Sequence, residues 1–413
     1  MSLTLKDYPM KKIHYGYAIV LCQFLIMFII VGLVMSCAGI FYRPVSEDLG
    51  IDIGKFGLYM SFNFLFSTLT LSFAGRLMER YSARILLTVC SAVAGCVFLA
   101  MSRFTALWEF YAAGTLFGIT LAFLLYLGLP TMLNRWFKAR MGVFIGICSA
   151  GSGIGGVLFN PLGGWLITEY GWRTAYLVFG LMILVFVTPV LAVLLRDYPK
   201  DKGLEPYGAS EVQAKATTPA SKGMDYMQAV RMSIFYGLVV FAFLMNAAAT
   251  LNVFLPSYVQ SVDFLLEEAS FVASAAMVGV TVGKVGLGAI NDRNTLAGVI
   301  ATAGLGIAGL LLLLSGHIHI VLSITGGFLF GWAYAGVSVQ TPLLVRSVFG
   351  SKNYARIYSN VSMAIAIGGA VAAGGWGLLA DATSFRFILW VGIFFLLISG
   401  IIGIYALRKN RIV

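Results

Sequence analysis

The chain has little charge: only 11% of its 413 residues are Asp, Glu, Lys or Arg, whereas about 25% is usual in soluble domains. So few charges cannot cover the apolar surface of a chain that is 60% hydrophobic. This excludes a soluble enzyme and a nucleic-acid binder. The five cysteines lie inside apolar stretches without metal-ligand spacing, which excludes a secreted disulfide scaffold. The three histidines lack carboxylate or cysteine partners at ligand spacing, so no enzyme activity, metal or cofactor is predicted.

The apolar residues instead form long runs. A helix needs about 20 apolar residues to cross a bilayer, and twelve such runs lie at 15–42, 56–76, 84–103, 106–134, 141–168, 173–195, 233–260, 269–290, 296–315, 319–345, 356–380 and 387–407. The first run is too long for a cleavable signal peptide. A polar stretch rich in Pro, Gly, Ser and Thr interrupts the pattern. We predict a six-span half at 1–195, a linker at 196–231 and a second half at 232–413.

Positive charge is distributed unevenly between the loops. With the N-terminus inside, the inner segments hold 22 Lys and Arg and the outer loops hold 5. Positive charge accumulates in cytoplasmic loops, so we predict that both termini and the linker are cytoplasmic. The short loops and the uncleaved first span favour the cytoplasmic (inner) membrane of a prokaryote, with the protein as a monomer in the lipid bilayer.

The two halves resemble each other at one offset. Three pairs of segments are separated by 213 residues: Gly75–Arg80 and Gly288–Arg293, Gly114–Gly118 and Gly327–Gly331, and Trp172–Arg173 and Phe385–Arg386. Each half has six spans and begins on the same side, so the repeat is parallel. Parallel six-helix halves are typical of major facilitator transporters. The predicted fold class is an all-α membrane protein of twelve transmembrane helices in two parallel six-helix repeats.

Local motifs agree with this architecture. The loop from Gly75 to Arg84 resembles the signature loop of the major facilitator superfamily, and 41–50, 134–140 and 150–155 resemble its monocarboxylate porter and oxalate–formate exchanger branch. The resemblance implies transport by alternating access. It implies a role in gating at the cytoplasmic face for Gly75, Glu79, Arg80, Arg84, Arg140, Asp292 and Arg293.

One charge lies within a span. Lys284 precedes Asp292 by eight residues, about 12 Å along a helix, and no acidic residue lies at the middle of any span. A lysine at this depth costs at least about 2.5–3.5 kcal/mol, which favours a functional group whose counter-ion is an anionic substrate. Lysine reaching back to the interface is the structural alternative.

Polar residues in the cavity-lining spans are candidate substrate ligands, and each has the alternative of bonding between helices. They are Tyr126, Tyr334, Asn246, Asn252 and Gln340. The predicted apolar walls are Phe41, Tyr42, Phe123 and Trp332.

The predicted function is secondary active transport of a small organic anion, most simply a monocarboxylate such as lactate or pyruvate, with proton symport. As the resemblance has it, the branch carries further ionisable groups where this chain has Ser36, Val280 and Val361. Lys284 alone would then bind anion and proton together, because a buried lysine without a counter-ion can release its proton. Anion exchange of the oxalate–formate type remains the alternative if Lys284 stays charged. Larger organic anions, sugars and cationic drugs are other candidate substrates.

Overall fold

The computed structural model describes residues 14–138, 140–208, 223–350 and 352–409, most of which are helical. The lysines before residue 14, the middle of the linker and the last four residues lie outside this part. Within it, eleven segments are long and apolar enough to cross a membrane. They are α1 (Gly16–Ser36), α2 (Ile53–Arg80), α3 (Ala83–Met101), α4 (Leu107–Trp136), the segment Val143–Leu194 that holds α5 and α6, α7 (Ser233–Ser261), α8 (Leu266–Arg293), α9 (Thr295–Ile318), α10 (Ile320–Ser338), α11 (Arg356–Ala382) and α12 (Phe385–Lys409).

The segment Val143–Leu194 is two spans. Its 52 residues would reach about 78 Å as one straight helix, more than twice the thickness of the hydrocarbon core. It changes direction at Gly171, whose φ of 81° and ψ of 159° are not helical. Glycine adopts this positive φ without a steric penalty. Residues 143–170 therefore form α5 and residues 172–194 form α6, which confirms the predicted twelve spans.

Each end of the linker is fastened to the half that it adjoins. The backbone N–H of Tyr207 donates to the carbonyl of Trp136 (2.8 Å), and that of Met224 donates to the carbonyl of Phe349 (2.9 Å). Trp136 and Phe349 are related by the offset of 213 residues found in the sequence. The two loops that receive the linker are thus equivalent in the repeat. We call this end of the bundle, where α1 begins and α12 ends, the linker face.

The halves meet along two antiparallel seams, α5 with α8 and α2 with α11. In the first seam, Ser274 Oγ donates to the carbonyl of Val157 (2.7 Å), and the backbone of Gly164 lies against Ser270. In the second, Gly54 lies against Gly377. Small residues let helices approach closely in lipid, where no hydrophobic force drives their association.

The opposite face is closed and the linker face is open. At the opposite face, the Tyr42 ring meets the edge of Phe254 at 5.2 Å between centroids, and Gly39 lies against the backbone of Val253. Towards the linker face, a Cβ atom at Gly146 of α5 or Gly288 of α8 would have no neighbour within 4 Å among the described residues. The halves therefore diverge from the middle of the bundle towards the linker face.

Three central helices are irregular. Widened, π-helical turns occupy Ile26–Ser36 of α1 and Ala122–Gly128 of α4, and a tight 3-10 stretch occupies Thr250–Phe254 of α7. Such departures redirect side chains and are frequent at functional sites. They place Tyr126 and Asn252 at irregular positions of α4 and α7, near the middle of the bundle.

Candidate substrate site at the centre of the bundle

Lys284 lies at the end of the closed part of the α5–α8 seam. It follows Thr281, whose side chain packs against Gly153 of α5, by one helical turn. The lysine is half-buried, and none of the described residues forms a hydrogen bond or an ion pair with its ammonium group. The role of Lys284 in binding an anionic substrate stays a prediction.

Trp332 of α10 fixes the backbone around the lysine. A Cβ atom at Gly286 would overlap the Trp332 ring, and one at Gly283 would lie 3.1 Å from the Trp332 Cα. The helices α8 and α10 are thus in close contact on both sides of Lys284, so its position on the helix is firmly held. The indole N–H of Trp332 is buried and has no hydrogen-bond partner in the described part of the chain. The Trp332 ring therefore packs against the backbone beside Lys284, and its indole N–H is a donor without an acceptor among the described residues.

Tyr126 of α4 and Tyr334 of α10 belong to different halves and lie near each other. Tyr126 keeps 40% of its surface exposed, although it lies deep in the protein within electrostatic range of Tyr334. Tyr334 is half-buried on α10. Neither hydroxyl has a hydrogen bond among the residues described. The two phenols are thus available to a molecule that enters from the linker face.

The amide side chains occupy different surroundings. Asn252 is 5% exposed, and its Oδ1 is buried with no partner in the described residues. Asn246 donates to the carbonyl of Ile365 of α11 (2.7 Å), and Gln340 Oε1 accepts from Asn291 of α8 (2.8 Å). The bonds of Asn246 and Gln340 favour the interhelical alternative, while Asn252 keeps an acceptor free.

The predicted gating residues do not join the halves in this structure. Glu79, Arg140, Asp292 and Arg293 are exposed at the linker face. Arg140 has a left-handed backbone (φ 56°) at the start of α5, a conformation uncommon outside glycine. These side chains therefore lie at the rim of the opening.

Three further gating residues, all in the first half, form no hydrogen bond or ion pair with the second half among the described residues. Arg80 lies over the ring of its neighbour Tyr81, with 5.7 Å from its guanidinium carbon to the centroid. A Cβ atom at Gly75 would meet nothing within 4 Å in the described structure. Arg84 Nε donates to the carbonyl of Ala192 (2.9 Å) and so ties α3 to α6 inside the first half. The contact of Arg84 is thus within one half, and its gating role remains a prediction.

Aromatic and acidic side chains at the opposite face have a different role from the one predicted, or had no predicted role. Phe41 and Tyr42, expected to line the substrate cavity, are 1% and 0% exposed. Phe41 stacks on Tyr176 at 4.0 Å. The carboxylate of Asp381 accepts a hydrogen bond from the backbone N–H of Gly54 across the halves (2.6 Å). The position of an aspartate at a helix end carried no signal of this partner, because the partner is a backbone group 327 residues away.

Comparison with known proteins agrees with this architecture. Residues 24–327 match the sequence profile of the Major Facilitator Superfamily. The chain is 28% identical over 346 residues to the MFS-type transporter hasB of Aspergillus fumigatus, covering 80% of this chain and 74% of that protein. It is 27% identical over 224 residues to the galacturonate transporter of Dickeya chrysanthemi (48% of this chain, 64% of that protein). It is 28% identical over 218 residues to monocarboxylate transporter 12 of Homo sapiens (48% and 42%).

A solved structure shares the fold. The bacterial homologue of the human lysosomal transporter Spinster, in an inward-facing and unoccupied conformation, aligns with a TM-score of 0.72 at 16% sequence identity, covering 96% of this chain and 98% of that one.

The fold and the family profile define a multi-pass membrane transporter, which would bind a small-molecule substrate within the membrane. The chain belongs to the Major Facilitator Superfamily and is one of its secondary transporters, which confirms the family and the fold predicted from the sequence.

Proposed function

We propose that this transporter carries a small organic anion, most simply a monocarboxylate such as lactate or pyruvate, together with a proton. The observation that carries the proposal is Lys284, a half-buried lysine at the end of the closed seam with no ion pair among the described residues. A cation at this depth is costly, and a carboxylate would neutralise it. Tyr126 and Tyr334 would donate to the second carboxylate oxygen or to a hydroxyl or keto group.

The names of two relatives support an acidic substrate. Galacturonate is a sugar acid with a carboxylate, and the human relative is named a monocarboxylate transporter. Both relatives match about half of this chain. A lysine presents a point charge instead of the two-pronged guanidinium of arginine, so a single carboxylate suits the site. Asn252, with its free acceptor, would bind a hydroxyl group of the substrate, while Asn246 and Gln340 stay weaker candidates.

The unequal distribution of positive charge supports a cytoplasmic linker face. The termini and the linker would then lie inside, in the inner membrane of a prokaryote, and the structure would represent an inward-open monomer. In this orientation Lys284, Tyr126 and Tyr334 are accessible from the cytoplasm, and the aromatic contacts of Tyr42 separate them from the outside.

The register of the α5–α8 seam supports a role in gating for Arg140 and Asp292. Gly153 and Thr281 form one contact of this seam. Seven residues further along each helix towards the linker face, about two turns, lie Gly146 and Gly288, where an added Cβ atom would meet nothing within 4 Å among the described residues. We propose that these glycines meet when the cytoplasmic side closes. Asp292 lies four residues beyond Gly288 and Arg140 lies six residues beyond Gly146, so closure would bring the long side chain of Arg140 close enough to Asp292 for an ion pair.

The register of the α2–α11 seam supports a role in gating for Glu79. Phe64 and Gly369 form a contact of this seam, and eleven residues further along each helix lie Gly75 and Tyr358. One more turn brings Glu79 near the level of Arg356 at the start of α11. Closing the cytoplasmic side would therefore pair Glu79 with Arg356. Arg80 and Arg293 would contribute positive charge at the rim, and Arg84 would hold α3 in place.

Lys284 lies on the side of α8 that faces the seam. At 3.6 residues per turn, it is on about the same side of the helix as Ser274, Thr281 and Gly288. Closing the cytoplasmic half of the seam would therefore enclose the lysine against α5, which requires its charge to be neutralised. An anion would do so in the loaded protein. In the empty protein, release of the proton would do so, and anion and proton would then move together. If the empty lysine keeps its proton, the loaded form alone reorients and the protein exchanges anions.

The test measures binding and uptake by the purified protein. Thermal shifts are recorded with lactate, pyruvate, acetate, formate, oxalate, galacturonate and a neutral sugar. A ligand at a hundred times its Kd stabilises the folded state by about 2.7 kcal/mol. We expect stabilisation by a monocarboxylate that Lys284→Ala abolishes. Lys409→Ala is the matched control, because Lys409 is exposed and contacts Tyr405 of its own helix. Stabilisation that survives in Lys284→Ala would contradict the site.

Uptake into liposomes separates symport from exchange. In the proposed symport, net uptake follows an inward proton gradient in the wild type and is lost in Lys284→Arg, because arginine does not release its proton. Full net uptake by Lys284→Arg would contradict the titrating lysine. Uptake only into liposomes preloaded with anion would favour exchange.

A further inference from the structure

A residue of the second half caps the start of α2, which lies at the opposite face. In the proposed orientation this is the outer face of the membrane. Gly54 is in the first turn of α2, and its N–H has no acceptor within the helix, as at every helix start. The carboxylate of Asp381, at the end of α11, accepts from this N–H at 2.6 Å. An anion at this position also interacts favourably with the helix dipole. The cap exists only while α2 and α11 are together at the outer face.

The helix does not cap itself. Asp52 occupies the N-cap position but forms no side-chain bond to the backbone of the first turn. Its carboxylate instead pairs with Lys55 at 2.7 Å. The carbonyl of Lys55 accepts from the Tyr111 hydroxyl (2.8 Å), and Asp52 and Lys55 are the charged groups within electrostatic range of Asp381. The Gly54 N–H thus depends on Asp381 or water.

The start of α8, the equivalent helix in the α5–α8 seam, is capped in a different way. At the start of α8, Glu268 accepts from the N–H of Leu265 (2.9 Å) and so caps its own helix. The end of α5, which packs beside it, carries Glu169, which is exposed and has no hydrogen bond among the residues described. The cap between halves is therefore a property of the α2–α11 seam and not of the fold in general.

Glycine at position 54 permits the contact. A Cβ atom there would lie 2.5 Å from the carbonyl carbon of Gly377 and would overlap the Asp381 carboxylate. A Cβ atom at Gly375, on the same helix as Gly377, would meet nothing within 4 Å in the described residues. Closure at this seam thus depends on the absence of a side chain at Gly54.

We propose that Asp381 is a positioning residue for transport: its cap on α2 holds the outer face closed and sets how readily the transporter opens outward. In the outward-open state the Gly54 N–H and the carboxylate would both be hydrated. The inference rests on the proposed alternating access and the orientation of the faces, but it does not involve the substrate.

The test uses cysteine reporters in a chain whose five native cysteines are replaced by alanine. Ser61→Cys reports on the outer side, because the Ser61 hydroxyl faces α11 at Gly374. Gly146→Cys reports on the linker face, where its surroundings are open. An impermeant maleimide labels the first from outside intact cells and the second in inside-out vesicles, both without substrate.

Asp381→Asn keeps the shape and removes the charge. Because the carboxylate is exposed, we expect a two- to fivefold faster labelling of Ser61→Cys, roughly the effect of one charge at a helix end. Labelling of Gly146→Cys should slow. Gly54→Ala should change both rates in the same directions by about tenfold or more, because it overlaps backbone. Glu169→Gln and Gly375→Ala are the matched controls and should leave both rates unchanged.

The opposite changes at the two faces distinguish a shift between states from loss of structure, which would speed labelling at both. The proposal is overturned if Asp381→Asn leaves both rates unchanged, or if it speeds both. Because no anion is present, a failure of the proposed substrate site at Lys284 does not alter this result.

Discussion

The bond from Ser274 to Val157 allows a quantitative prediction for the balance between the two states. Val157 precedes Pro161 by four residues in α5. Proline has no N–H, so the carbonyl of Val157 has no helical donor. Ser274 of the other half supplies one, at 2.7 Å. This backbone group is therefore satisfied across the seam while the face opposite the linker is closed.

Ser274→Ala should shift the transporter towards the outward-open state. It leaves the part-buried carbonyl of Val157 without a partner in the closed seam, and an unpaired group shielded from water costs about 1–3 kcal/mol. Once the seam opens, water can reach the carbonyl and the cost disappears. The equilibrium should therefore move by roughly five- to a hundredfold towards outward-open, because 1.4 kcal/mol is a factor of ten. The measurement is outside labelling of the Ser61→Cys reporter.

A double-mutant cycle identifies the cause. Pro161→Ala restores an N–H that can donate to the Val157 carbonyl within α5, so Ser274→Ala should have a smaller effect in that background. Thr168→Ala is the control, since the exposed Thr168 hydroxyl bonds to Gly164 of its own helix. Equal effects of Ser274→Ala with and without Pro161 would refute the reasoning, and so would unchanged labelling in the single variant.

Two further predictions concern the cytoplasmic closure and acid stability. A Gly146→Cys/Gly288→Cys pair, without native cysteines, should form a disulfide more rapidly when Gly54→Ala is added, because closure would bring the two helices together; cross-linking that Gly54→Ala slows or leaves unchanged contradicts the extrapolated register. Asp48 pairs with Arg173 at 2.5 Å, and this arginine lowers the pKa of the Asp48 carboxyl. The stabilisation is present above the ordinary value of about 3.9 and is lost as the pH falls through the lowered one. The Tm of the wild type should therefore exceed that of Asp48→Asn at pH 6, and the difference should shrink as the pH falls below about 3.9; a difference that grows in acid contradicts this assignment.

The number of spans, the presence of two similar halves and the single cation at depth can be predicted from the amino-acid sequence. These features depend on local composition. A run of about 20 apolar residues has few alternatives to a membrane helix, and Lys284 is conspicuous because its neighbours are apolar. The repeat at 213 residues related the halves without any structure. The twelfth span was also clear from the sequence, although the structure joins α5 and α6 through Gly171.

Which groups meet between the halves can be seen only in the folded structure. In the sequence, Asn246, Gln340 and Asn252 look alike, because each is an amide within an apolar span. In the structure, Asn246 and Gln340 bond to neighbouring helices, while Asn252 keeps a free acceptor. Phe41 and Tyr42 were expected in the cavity. Instead, Tyr42 packs on Phe254 at the opposite face, and Phe41 is buried against Tyr176 within its own half. The bonds of Asp381 to Gly54 and of Ser274 to Val157 involve backbone groups left open by a helix start and by a proline. Their partners are distant in sequence, and each pairing depends on how one six-helix half is rotated against the other. A sequence pattern carries no record of that rotation, because both states are built from the same helices.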